Sequence, residues 1–132
     1  MSSTRTVIWL TAVVLTHLAI SLVHGFAHTQ ARVPMSLAVT AFVYAVILAG
    51  PLVGLALVPL ARRTGCWVIA AAMGGALVFG LVNHFGVAGP DHVNHVAPQW
   101  RMLFAVTAML LAVTEGVGAA LAVRAGTERS RS

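Results

Sequence analysis

Residues 7–28 read VIWLTAVVLTHLAISLVHGFAH. The first twenty-one of these, 7–27, carry no Asp, Glu, Lys or Arg, and a helix needs roughly 20 such residues to cross the hydrocarbon core of a bilayer. Three more stretches are long and apolar enough to do the same, at about 35–61, 67–88 and 102–124, the last carrying Glu115 and ending at Arg124. The connectors between them are short: 28–34, the Arg62-Arg63-Thr64-Gly65-Cys66 turn, and a longer loop over 89–101. The reading is an all-α integral membrane protein of one domain, 1–132. Its four transmembrane helices are expected to form a compact antiparallel bundle, and 125–132 to form a disordered polar tail.

Composition supports this class. Of 132 residues, 59% are hydrophobic and only 8% charged, and the mean hydropathy is +0.92. Soluble domains carry about a quarter charged residues. The formal charge of +5 comes from arginine alone, set mostly at segment ends, so nucleic-acid binding is excluded as a reading. Cys66 is the only cysteine, which rules out an intrachain disulfide and a CxxC site.

Arginine placement sets the expected orientation. Arg5, Arg62, Arg63, Arg124, Arg129 and Arg131 fall on one side of the four spans, and Arg32 and Arg101 on the other. By the positive-inside rule both termini are then cytoplasmic, in a bacterial-type plasma membrane. Trp9 and Trp67 would mark the inner interface and Trp100 the outer one. A cleavable signal peptide ending at Gly25-Phe26-Ala27 is the competing reading of the N-terminus. His17 and His24 would interrupt its apolar region, which argues against it.

The most specific signal is histidine. At about 100° per residue, His24 and His28 each fall about 20° from His17, on opposite sides of it, and Ser21 shares the stripe. His24 and His28 are i and i+4, the spacing at which two imidazoles reach one metal from a single helix face. At about 1.5 Å rise per residue, His24 and His84 both lie roughly 25 Å above the inner ends of their spans. The loop Pro90-Asp91-His92-Val93-Asn94-His95 sits at or just beyond that level. Candidate ligands for a metal at the outer, non-cytoplasmic face are therefore His24, His28, His84, His92, His95 and Asp91. This nitrogen-rich set suits a divalent transition metal such as zinc, copper or iron. Deeper in the bilayer, His17 and Glu115 match in height to about one residue rise, so they can form a buried pair if the first and fourth helices touch.

These residues support several functions. The leading one is a histidine-rich metal site, with the metal catalytic, handled or sensed. A b-type haem between His24 and His84 is an alternative. Others are a proton-coupled small transporter using Glu115 and His17, and an accessory subunit without chemistry of its own. HExxH, P-loop, GxSxG and Rossmann signatures are absent from the sequence, and no catalytic residue is assigned. Expected partners are the lipid bilayer and a second copy of the chain. The Gly50/Gly54 pair offers one surface for a homodimer, and Pro51 beside it is expected to kink the second span.

Overall fold

The computed structural model describes residues 3–128, and every regular element in them is helical. Four helices are long and apolar enough to cross a membrane. They are α1 (Ser3–Gln30), α2 (Leu37–Leu57), α3 (Arg62–Gly86) and α4 (Pro98–Thr127). A single 3-10 turn, Val93–His95, breaks the loop between α3 and α4. α4 is the hub: it packs along α1 on one side and α3 on the other, and α3 in turn carries α2.

Local chemistry sets the helix ends. Ser36 caps α2 by accepting from the Val39 amide at 3.2 Å. α1 ends in a Schellman motif: Val33 N donates to His28 O (3.1 Å) and Arg32 N to Thr29 O (3.2 Å). Arg32 takes the left-handed conformation this motif demands, with φ at 53°, where glycine is usual. The turn before α3 differs from expectation. Arg62–Cys66 is not a connector but the first turn of α3, and the chain reverses over 58–61. The reason is packing: a Cβ on Gly65 would stand 2.6 Å from Val58 N and 2.7 Å from Gly54 O, so the absent side chain lets α3 begin hard against the end of α2.

α4 also runs further than expected. Residues 125–127 continue the helix, with Ala125 and Gly126 buried, and Glu128 pairs with Arg62 at 3.2 Å. Of the tail expected at 125–132, residues 125–127 are thus helical; 129–132, with Arg129 and Arg131, lie outside the described residues.

The Gly50/Gly54 ridge faces inward. A Cβ on Gly50 would lie 2.8 Å from Ala72 Cβ, and one on Gly54 would lie 2.6 Å from Ile69 Cγ1. Both glycines let α2 approach α3 within one chain, so this ridge is not a free surface for a second copy. Leu10, Val14, Ile69, Met73 and Ala122 close the core beneath.

Two of the spans change pitch. Val43–Ala49 in α2 and Leu81–Gly86 in α3 are π-helical. The first lies directly before Pro51, whose missing amide proton and ring crowding disturb the preceding carbonyls. A wider turn accommodates both. The second carries His84, and there Val87 N reaches back five residues to Val82 O at 2.8 Å. Asn83 Nδ2 also donates to Phe79 O at 2.8 Å.

Candidate metal centre

Three histidines from two helices converge at one end of the bundle. α1 supplies His24 and His28 one turn apart, and the π-helical end of α3 supplies His84. One ring nitrogen from each lies within 4.8 Å of those of the other two. The ring centroids of His24 are 4.9 Å from both His28 and His84, and those of His28 and His84 are 5.8 Å apart. Phe104 of α4, fully buried, packs against all three at 4.7 to 5.1 Å. Its ring fixes one side of the cluster and excludes water from it.

The outward-facing nitrogens are each held. Thr107 Oγ1 lies 2.8 Å from His24 Nδ1 and already donates its own hydrogen to Leu103 O (2.7 Å) or Phe104 O (3.1 Å). The hydrogen between histidine and threonine therefore belongs to Nδ1, and His24 Nε2 keeps its lone pair. His84 Nδ1 donates to the Asp91 carbonyl at 3.2 Å, which leaves its Nε2 as the acceptor nitrogen. His28 Nε2 is 3.1 Å from Asp91 Oδ1. Two lone pairs would repel at that distance, so Nε2 carries the hydrogen and Nδ1 is bare. His24 Nε2 and His28 Nδ1 are both buried without a hydrogen-bond partner among the described residues. Buried polar atoms are rarely left so.

Asp91 sits beside the cluster in the loop between α3 and α4. Its Oδ1 approaches His28 Nε2 and His84 Nδ1 at 3.1 and 3.4 Å, in ion-pair contact rather than aligned hydrogen bonds. Burial alone would raise its carboxyl, but the contacts with His28 and His84 win and hold it well below the usual carboxylate range.

His92 and His95 stand apart from this group. Their rings lie 5.5 Å from each other, His95 Nδ1 donates to Gly89 O at 2.6 Å, and His92 Nδ1 accepts from Asn94 N at 3.2 Å. Both serve to fold the loop that carries Asp91. Arg101 braces the same loop through Asn94 O and Val96 O, each at 3.3 Å.

Below the cluster, α1 and α4 meet again. His17 Nε2 is 3.2 Å from Glu115 Oε1, both side chains are almost fully buried, and Ser21 Oγ stands 3.5 Å from the same nitrogen. A cavity of about 340 Å³ connects the two levels: His24, His28, His84 and Asp91 line it at one, and Ser21 and Glu115 at the other.

Sequence reasoning did not reach Thr107 or Phe104. Thr107 had a usable signal. It lies eight residues before Glu115, roughly 12 Å along α4, and His24 lies seven residues beyond His17, roughly 10.5 Å along α1. Two helices in contact at one level are then in contact at both. Phe104 had no such signal, because nothing marks one apolar residue of a span as the one beneath a site.

Comparison of the chain with protein-family models, with curated proteins and with solved structures finds no match in any of the three.

Proposed function

We propose that the chain is an integral membrane protein, both termini cytoplasmic, that holds one divalent transition metal through His24 Nε2, His28 Nδ1 and His84 Nε2 near its non-cytoplasmic face. The observation that carries this reading is the pairing of each opposite ring nitrogen. Thr107, the Asp91 carboxylate and the Asp91 carbonyl each face one imidazole N–H. Such outer partners set the tautomer and aim of metal-bound histidines in known sites. Two of the three remaining nitrogens are buried with no other use.

Three imidazoles with Asp91 alongside suit zinc, copper or iron. Three protein nitrogens would leave a coordination position free, as in catalytic rather than structural zinc sites, and all three histidines line the cavity. The bound metal would supply Lewis acidity or an activated water there. Phe104 excludes bulk water, and Asp91 holds two ligands in register.

The haem alternative asks for a macrocycle between His24 and His84. Their rings touch edge to face at 4.9 Å, with His28 and Phe104 against them, and this arrangement favours a single ion instead. The His17–Glu115 pair keeps a proton-handling role beneath the metal in view, since the cavity reaches Glu115.

The test is metal analysis with a visible spectrum on protein purified in detergent without chelators. About one metal per chain is expected, falling to near none in His24→Ala and His84→Ala, because two imidazoles hold a divalent ion far more weakly than three. Wild-type protein free of transition metal overturns the reading. Orientation is tested separately: Asn94→Cys in a Cys66→Ala background should label with an impermeant maleimide in intact cells, and labelling only after permeabilisation reverses the topology.

A further inference from the structure

The cavity beside the histidines is open sideways. α1 meets α2 mainly through the inner segment Gly50–Leu57, and the outer segments of the two helices diverge. The gap between them is the mouth of the cavity. Leu22 and Phe26 of α1, Met35, and Tyr44 of α2 line it, and each is more than two-fifths exposed, so they form an apolar and aromatic rim. Val43 and Ile47 form the wall behind. In a chain whose helices cross a bilayer, this rim faces lipid rather than water.

We propose that the cavity binds a single-chain, membrane-dissolved amphiphile bearing a neutral hydroxyl, aliphatic or phenolic, with the hydroxyl at the histidine cluster and the apolar body leaving between α1 and α2. The assignment rests on the metal reading for the partner of the head group, and on the cavity for the body.

Size selects the body. At about 340 Å³ the cavity is at the small end of small-molecule sites, which run roughly 300–1,000 Å³. It accommodates one short apolar body, not the two chains of a phospholipid. The histidines and Asp91 stand at one end, Ser21 and Glu115 at the other and Tyr44 at the rim, with a mostly apolar wall between, a pattern that orients a ligand by its head. Chemistry selects the head. Without metal, the bare nitrogens His24 Nε2, His28 Nδ1 and His84 Nε2 accept hydrogen bonds and need a donor. With metal, the free position needs an oxygen lone pair. A hydroxyl meets both demands. An ammonium head fails the second and a carboxylate fails the first.

The test uses the whole chain in phosphatidylcholine nanodiscs. A photoreactive long-chain alcohol carrying a diazirine is compared with a photoreactive phosphatidylcholine, and metal content is measured on the same samples. The alcohol should label Leu22, Phe26 or Tyr44 saturably and be displaced by unlabelled alcohol. Ile47→Trp, which fills the wall, should reduce that labelling by about tenfold or more, the loss matching a binding deficit of about 1.4 kcal/mol. Val113→Trp on the exposed face of α4 should leave it unchanged. Metal content should be equal in all three proteins. Val43→Trp repeats the test if Ile47→Trp does not purify. Wild-type labelling in the filled variants overturns the proposal, as does equally strong labelling of the same residues by the phosphatidylcholine. Saturable labelling of wild-type protein that purifies without any transition metal supports the cavity assignment and overturns the metal centre alone.

Discussion

His17 and Glu115 meet at 3.2 Å across the α1–α4 interface, 98 residues apart in sequence. Two ionisable side chains are thereby buried together at a level where each alone would be costly. In a double-mutant cycle of His17→Ala with Glu115→Ala, the stability effects should fall short of additive by about 1 kcal/mol, within the range for groups in direct contact. Thermal unfolding in detergent measures this, and additive effects would mean the pair contributes nothing jointly. Glu115→Gln, which keeps a hydrogen-bonding group of similar size, should retain both fold and metal.

Thr107 should act on the metal through His24 alone. Thr107→Val preserves shape but removes the acceptor for the Nδ1 hydrogen, so the ring loses its orientation. Metal affinity is expected to fall roughly 10- to 100-fold, the usual effect of deleting such a partner. Competition titration with a chromogenic chelator reads it, and unchanged affinity would show that the threonine is only a packing residue.

Asp91→Asn tests the carboxylate that serves two histidines. The side chain keeps its size but loses its charge, while the backbone carbonyl toward His84 is untouched. Affinity should drop by about tenfold, less than for loss of a ligand. A complete loss of metal would instead make Asp91 a direct ligand.

The end of α1 holds avoidable strain. A left-handed non-glycine residue costs about 1–2 kcal/mol, and the added freedom of glycine in the unfolded chain takes back about 0.4–1 kcal/mol. Arg32→Gly should therefore stabilise the protein, by roughly 0.5–1 kcal/mol net, and hold His28, whose carbonyl accepts from Val33 N in this motif, at least as firmly. A lower melting temperature would contradict the strain assignment.

Gly65→Ala places a methyl group against Val58 N and Gly54 O, which are backbone and cannot swing aside. A loss of about 1–3 kcal/mol is expected, as for other overpacked sites. Gly74, with nothing within 4 Å of its virtual Cβ, is the matched control: Gly74→Ala should be neutral or stabilising.

Much of the helical framework was legible because hydropathy and rise are local and additive. Each span announces itself by about 20 apolar residues, whatever its neighbours. The ends were less legible. Arg62 and Arg63 look like a loop by charge, yet they open α3, since the tight approach at Gly65 outweighs the polarity of two arginines, one exposed and the other paired with Glu128. Residues 125–127 look like a tail by composition, yet burial against Cys66 and Trp67 extends α4 over them.

The histidines divide the same way. The sequence by itself determined that His17, Ser21, His24 and His28 share one face of α1, and that His84 and Glu115 lie at the heights of His24 and His17. Periodicity and rise depend only on the helix to which a residue belongs. Only the tertiary structure decided which faces met. It brought His84 to His24 and His28, left His92 and His95 bonded to their own loop, turned Asp91 inward, and put Phe104 and Thr107 behind the rings. It also decided which nitrogen of each ring is bare, because a tautomer follows from the partner across the interface, and that partner belongs to another helix.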